Sequence, residues 1–276
     1  MSFYVIYALL CASIIILSWL FGKEYAWYRY SLDIIGLTKN PNYIDNIIVL
    51  GIVFFIHRIE QKKGDIGINL GGICILCFGC FLTGTRAALV VIMLLFVMTM
   101  INFFFVRKKY VYICLLIFIA IVIYYLFMNY MPNYIIDRMT NIEGYGDDVR
   151  VRMWTSALTE WTKHPILGIG LNGVSQIEIV NTIGGLHNVV LQFFCEQGII
   201  GFLLFLSLIF SMLSRVRKKD KHLVILILTA IYLPIMFQNG IVSFTFWWPL
   251  AILEVFTQVS MKEGICMNSN KHMNLP

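Results

Sequence analysis

Short basic clusters divide this chain into apolar runs, most of them close to twenty residues long. The hydrocarbon core of a bilayer is about 30 Å thick and takes about 20 helical residues to cross. A segment crossing it must satisfy its own backbone hydrogen bonds, which a helix does. That feature predicts an all-α, polytopic membrane helical bundle. The runs place about eight transmembrane helices, at roughly 3–21, 44–58, 66–84, 87–106, 110–130, 188–213, 222–238 and 241–259. The second is short and open to tilting or extension, and the last two join through Gln238, Asn239 and Gly240 in a tight hairpin. Residues 3–21 lack a basic leader and a small-residue cleavage site, so they read as a retained helix, not a signal peptide. Residues 1–276 form one integral-membrane domain in this reading. A mean hydropathy of +0.81, with 59% hydrophobic and 13% charged residues, excludes an ordinary soluble protein.

The net charge of +6 is no sign of nucleic-acid binding, because the bases lie in short clusters between apolar runs. The clusters are Arg58/Lys62/Lys63, Arg107/Lys108/Lys109 and Arg215/Arg217/Lys218/Lys219/Lys221. With Lys262 and Lys271 they hold thirteen of the twenty-one Lys and Arg residues. Eight spans put all of them on one side, which the positive-inside rule makes cytoplasmic. Both termini are then cytoplasmic. Loops 22–43, 84–87, 131–187 and 239–240 face outward, and 131–187 is a large extracytoplasmic loop. Arg86, Arg150 and His187 consequently all fall on the outer face. Arg86, in LTGTRAAL (82–89), has the alternative reading of an arginine snorkelling to the interface.

Seven cysteines are present, none in the outer loop, so no disulfide framework is implied. Cys74, Cys77 and Cys80 have a metal-like spacing but lie inside an apolar run, where small soft residues are ordinary. No metal site is assigned.

The stretch 147–201 holds the densest set of groups able to do chemistry. Asp147 or Asp148 N-caps a helix running to about Lys163. At about 100° per residue, Met153, Trp154, Ala157, Leu158 and Trp161 share the face of Arg150, while Arg152 falls on the opposite side. The expectation is an amphipathic helix lying in the membrane interface, tryptophans inward. An arginine on that face needs an anion: Glu143, Asp147 or a bound phosphate. His164-Pro165 stops the helix. Gly168-Ile169-Gly170, followed by Asn172, then makes a tight turn. No strand precedes this GxG, which excludes a dinucleotide fold. His187 opens the sixth span on a face shared with Leu191, Phe194, Gly198 and Gly201, a face expected to pack against other helices. It is a candidate general base, or otherwise a capping histidine. Glu196 lies on the other face, where Gln192 can satisfy it.

GLTKNPNY (36–43), LTGTRAAL (82–89), RVRMW (150–154), HPILGIGLN (164–172) and HNVVLQFFCEQGIIG (187–201) together resemble the O-antigen ligase and polymerase family of bacterial polysaccharide assembly. The resemblance implies an enzyme on the outer face of the bacterial cytoplasmic (inner) membrane. It would transfer a glycan from an undecaprenyl-pyrophosphate-linked donor to a sugar hydroxyl of an acceptor glycan or lipid A core, with no metal or cofactor. The carried-over catalytic residues are Arg86, Arg150 and His187. Arg152 is the alternative loop arginine, and it joins Trp154, Asn172, Asn188 and Glu196 as candidate substrate-binding residues. Two arginines would hold and neutralise the pyrophosphate, and His187 would take the acceptor proton. Members of the family usually carry more helices, so a short member, a truncated product or half of a split protein is expected.

Two other functions compete. A lipid-linked glycan transporter or flippase would use Glu196 as a proton relay. It should show an internal repeat and polar residues on several midplane helices; the sequence has no repeat and concentrates its polar groups at one face. An inactive truncated member predicts that Arg86, Arg150 and His187 do not converge.

Overall fold

The computed structural model describes residues 2–22, 41–106, 108, 110–130, 133, 136, 146–217, 220–235, 247, 250, 251, 253–255, 257 and 258. Among these every regular element is helical: α1 (Ser2–Leu20), α2 (Pro41–Glu60), α3 (Ile66–Leu82), α4 (Arg86–Ile101), α5 (Tyr110–Tyr130), α6 (Gly146–Trp161), α7 (Glu178–Ile183), α8 (Val189–Arg215) and α9 (Lys221–Ile235). A π-helical turn, Asn102–Val106, extends α4, and a 3-10 turn, Gly173–Gln176, precedes α7. Among the described residues, helices coincide with seven of the eight expected spans, and the described residues of the eighth, 247, 250, 251, 253–255, 257 and 258, are helical as well. Among the described residues, four segments are long and apolar enough to cross a membrane: Phe3–Leu20, Asn42–Glu60, Arg86–Val106 and Val189–Arg215. Ile66–Leu82 and Lys221–Pro234 are shorter apolar helices. The short second apolar run, 44–58, is extended at both ends into the 20-residue α2, which begins at Pro41, a residue suited to a helix start. The 238–240 hairpin, most of 241–259, most of GLTKNPNY, Glu143 and the Asp147 and Asp148 side chains lie outside the described residues and side chains.

The chain divides into two compact units. The first comprises residues 1–143 and 226–234. Its centre is α2, clasped by α1 and α3 at small residues. A Cβ on Gly51 would stand 2.6 Å from the Ala8 methyl, and one on Gly79 would stand 2.8 Å from that of Ala12. Such close backbone approach packs helices where hydrocarbon supplies no hydrophobic drive. Polar side chains buried here are paired. Asn102 donates to Glu60 at 2.8 Å, and the Cys80 thiol donates to Asp45 at 3.3 Å. Cys80 is thus a hydrogen-bonded core residue, and no cluster of metal-binding side chains occurs among the described residues.

The second unit comprises 144–225 and 235–276. Met153 and Ala157 of α6 pack with Val174, Val180, Leu186 and Cys195 into a small core. The amphipathic phase of α6 is as expected, but its apolar face is covered by the chain's own loop and by α8, not by lipid. Burial against Val174, Val180 and Leu186 removes that surface from solvent just as a bilayer would, so periodicity alone does not distinguish the two. Leu158, at the rim of the expected face, is exposed. At the far end of α8, Arg215 forms a two-pronged ion pair with Glu254 (2.7 and 2.8 Å).

Candidate active site

Arg86 is the first residue of α4 and is exposed. The chain reaches it through a buried polar corner. Gly84 turns with φ +64°, Thr83 Oγ1 lies 2.9 Å from each oxygen of the buried Asp45 carboxylate, and the Thr85 hydroxyl donates to Asn42 at 3.2 Å. A buried carboxylate must be hydrogen-bonded to be tolerated. LTGTR is therefore a rigid pedestal, and its anchor is Asp45, an acid within the apolar run of α2 that no motif marks.

The second unit carries the other candidates. Arg150, in the first turns of α6, is half-buried, whereas Arg152 is exposed. One turn after Arg150, the Trp154 indole N–H donates to the Leu186 carbonyl at 3.0 Å. That bond fixes the backbone next to His187, which sits at φ +51°, the sparsely populated left-handed region. His187 is half-buried. Burial first, and the nearby Arg150 guanidinium second, hold its imidazole below the ordinary histidine pKa. It is then neutral at pH 7 and able to accept a proton. Arg150, Trp154 and His187 are thus brought together within one unit, and Arg86 belongs to the other.

His187 is not on the helix that the periodicity gave it. α8 begins at Val189, and Asn188 is its N-cap, its Oδ1 accepting from the Leu191 amide at 3.0 Å. The Asn188 side chain is used as a cap. The face thought to pack against other helices is also different. Gly198, at φ +64° and ψ −171°, breaks α8, and the 165–170 loop is spliced into the break. Ile169 and Gly170 donate to the carbonyls of Cys195 and Glu196 (3.0 and 3.1 Å), while Ile199 and Ile200 donate to those of Pro165 and Ile166 (3.0 and 3.3 Å). In an unbroken helix the Cys195 and Glu196 carbonyls would accept from Ile199 and Ile200. The loop replaces the two lost bonds with four, and it fits because Gly168 and Gly198 meet backbone to backbone.

Glu196, 1% exposed, lies at this junction. Gln192 donates to its Oε1 at 3.0 Å, and the amides of Asn172 and Val174 face its carboxylate. Its Oε2 keeps no close hydrogen-bond partner among the described residues. Asn172 stands at φ +61° and starts the 3-10 turn, its carbonyl accepting from the Ser175 hydroxyl at 2.7 Å. Glu196 and Asn172 therefore hold the loop against α8. The close pairing of Gly168 with Gly198 was legible only as an excess of glycines in both motifs.

Residues 71–206 match the family model described as O-antigen ligase. No curated protein matches the chain. The matched segment contains LTGTRAAL, RVRMW, HPILGIGLN and the whole of HNVVLQFFCEQGIIG, and on this match residues 71–206 belong to the O-antigen ligase and polymerase family, in a chain whose apolar helices are those of a membrane protein.

Proposed function

We propose that the chain transfers a glycan from undecaprenyl pyrophosphate to an acceptor sugar hydroxyl during cell-surface polysaccharide synthesis, at the outer face of the cytoplasmic membrane. The observation that carries this reading is the pairing of a neutral His187 with Arg150 inside one unit. A neutral imidazole is the form able to take the acceptor proton, and an adjacent fixed cation suits a pyrophosphate. In this reading Arg150 binds the donor's phosphates, which a guanidinium can do with two parallel N–H bonds, and Arg86 is a further proposed phosphate-binding residue. Charge grows on the leaving phosphate oxygen as the glycosidic bond breaks, so the arginines act most strongly in the transition state. The acceptor oxygen attacks the anomeric carbon, His187 receives its proton, and the polyprenyl pyrophosphate departs. Arg152 and Asn172 are available at the exposed rim for donor or acceptor sugars.

Complementation tests the reading. The gene should restore long-chain glycan in a polymerase-null strain or glycan attachment in a ligase-null strain, seen as a ladder on a gel. Failure in both strains with a correctly inserted protein overturns it. The transporter reading gains no support from Glu196, whose partners fasten a loop to α8.

A further inference from the structure

Residues 165–171, directly before Asn172, read Pro-Ile-Leu-Gly-Ile-Gly-Leu, without one polar side chain. Ile166, Leu167 and Leu171 are 61%, 74% and 69% exposed. An exposed leucine is unremarkable singly, but three within six residues, with nothing polar between them, require an apolar partner. The fold shows which one. Through the splice, this loop is hydrogen-bonded to α8 at residues 195–200. Below that level α8 presents an exposed apolar row, with Leu203 and Leu204 58% and 65% exposed. α8 is 27 residues long and ends at Arg215 beside the basic cluster. Counting about 20 residues back from Arg215 brings the upper limit of the hydrocarbon to about residue 195. The loop therefore joins α8 where hydrocarbon gives way to headgroups. Its backbone can lie there because the break in α8 satisfies it, and irregular backbone at membrane depth requires that.

We infer that residues 165–171 are a membrane-inserted wedge, with Ile166, Leu167 and Leu171 in contact with phospholipid acyl chains at the end of α8 remote from its basic terminus. Lys163 and His164, both exposed, stand just before the wedge and suit the headgroup layer. The membrane contact assigned by periodicity to the inner face of α6 is made instead by the loop that follows it. The inference requires α8 to cross the bilayer and is independent of the glycan chemistry.

Depth measurement by spin labelling tests it. The full chain, with Cys74, Cys114 and Cys266 replaced by serine, is placed in a bilayer of synthetic phosphatidylcholine free of polyprenyl lipid and partner proteins. Leu167→Cys, Leu171→Cys, Leu203→Cys and Thr159→Cys are labelled in turn. Because the side chains at 167 and 171 are exposed, these substitutions leave the core intact, and each serves as a check on the other. Labels at 167 and 171 should be relaxed by oxygen in preference to a water-soluble nickel chelate, as at 203, with nickel accessibility several-fold below that at 159. Nickel accessibility at 167 and 171 equal to that at 159 would overturn the inference. So would exclusion of both probes, which would mean that protein covers the loop.

Discussion

The imidazole of His187 and the guanidinium of Arg150 divide the chemistry between them in the proposed mechanism. His187→Ala should cut transfer by about 10²–10⁴-fold, the usual contribution of a general base, while leaving donor affinity nearly intact. Arg150→Ala should weaken both, because the pyrophosphate is charged before as well as during the reaction. Arg150→Lys should rescue only in part, since an ammonium cannot make the two-pronged contact. Transfer of a labelled lipid-linked glycan, with donor affinity measured separately, checks all three. A pH profile adds an independent sign. His187 is held below the ordinary histidine value by burial and by Arg150, so activity should be lost only as pH falls below that range. Removing the Arg150 cation lets the imidazole protonate more readily, and the acid limb of the residual activity in Arg150→Ala should move to higher pH. Burial, the larger cause, remains, so the recovery is partial. An unmoved acid limb would separate Arg150 from the base.

At the scale of elements, the loop spliced into α8 is the feature on which the second unit turns. Gly198 occupies a conformation open essentially to glycine alone, and a Cβ there would meet the Ile166 carbonyl and the Gly168 amide. Gly198→Ala should cost on the order of 3 kcal/mol. Gly71→Ala in α3 should be mild by comparison, because its new methyl meets open space on an ordinary helical backbone. Glu196→Ala removes the acceptor for Gln192 and leaves the Asn172 and Val174 amides facing an apolar gap. Leaving buried donors unpaired costs about 1–3 kcal/mol. Thermal melts in detergent should rank the variants with Gly198→Ala and Glu196→Ala well below Gly71→Ala.

At the scale of the whole molecule, Arg86 and Arg150 lie in different units, so whether they serve one substrate is a question for energetics. If Arg86 and Arg150 bind the same pyrophosphate, their alanine variants should be non-additive in transfer rate, as coupled sites are. Fully additive losses would mean separate roles. Sidedness follows from the basic clusters: a cysteine replacing Gln176, which is exposed, should react with an impermeant reagent added from outside intact cells, and protection there with labelling after lysis would invert the topology.

The sequence by itself determined the class of fold, because runs of about twenty apolar residues leave a chain few structures other than membrane helices. It also determined the phase of α6, with Arg150 inward and Arg152 outward, since a 3.6-residue period survives whatever covers the apolar face. It did not determine what covers that face. Val174, Val180 and Leu186 are distant from α6 in sequence, and only tertiary packing brings them onto Met153 and Ala157. The same holds for His187: a helical period extended back to it from α8 misplaces it, because Asn188 caps the helix and ends the period. The break at Gly198 was equally hidden. A glycine in an apolar helix reads as close packing, and its positive φ becomes tolerable only when another backbone, here 165–170, supplies the hydrogen bonds the helix gives up.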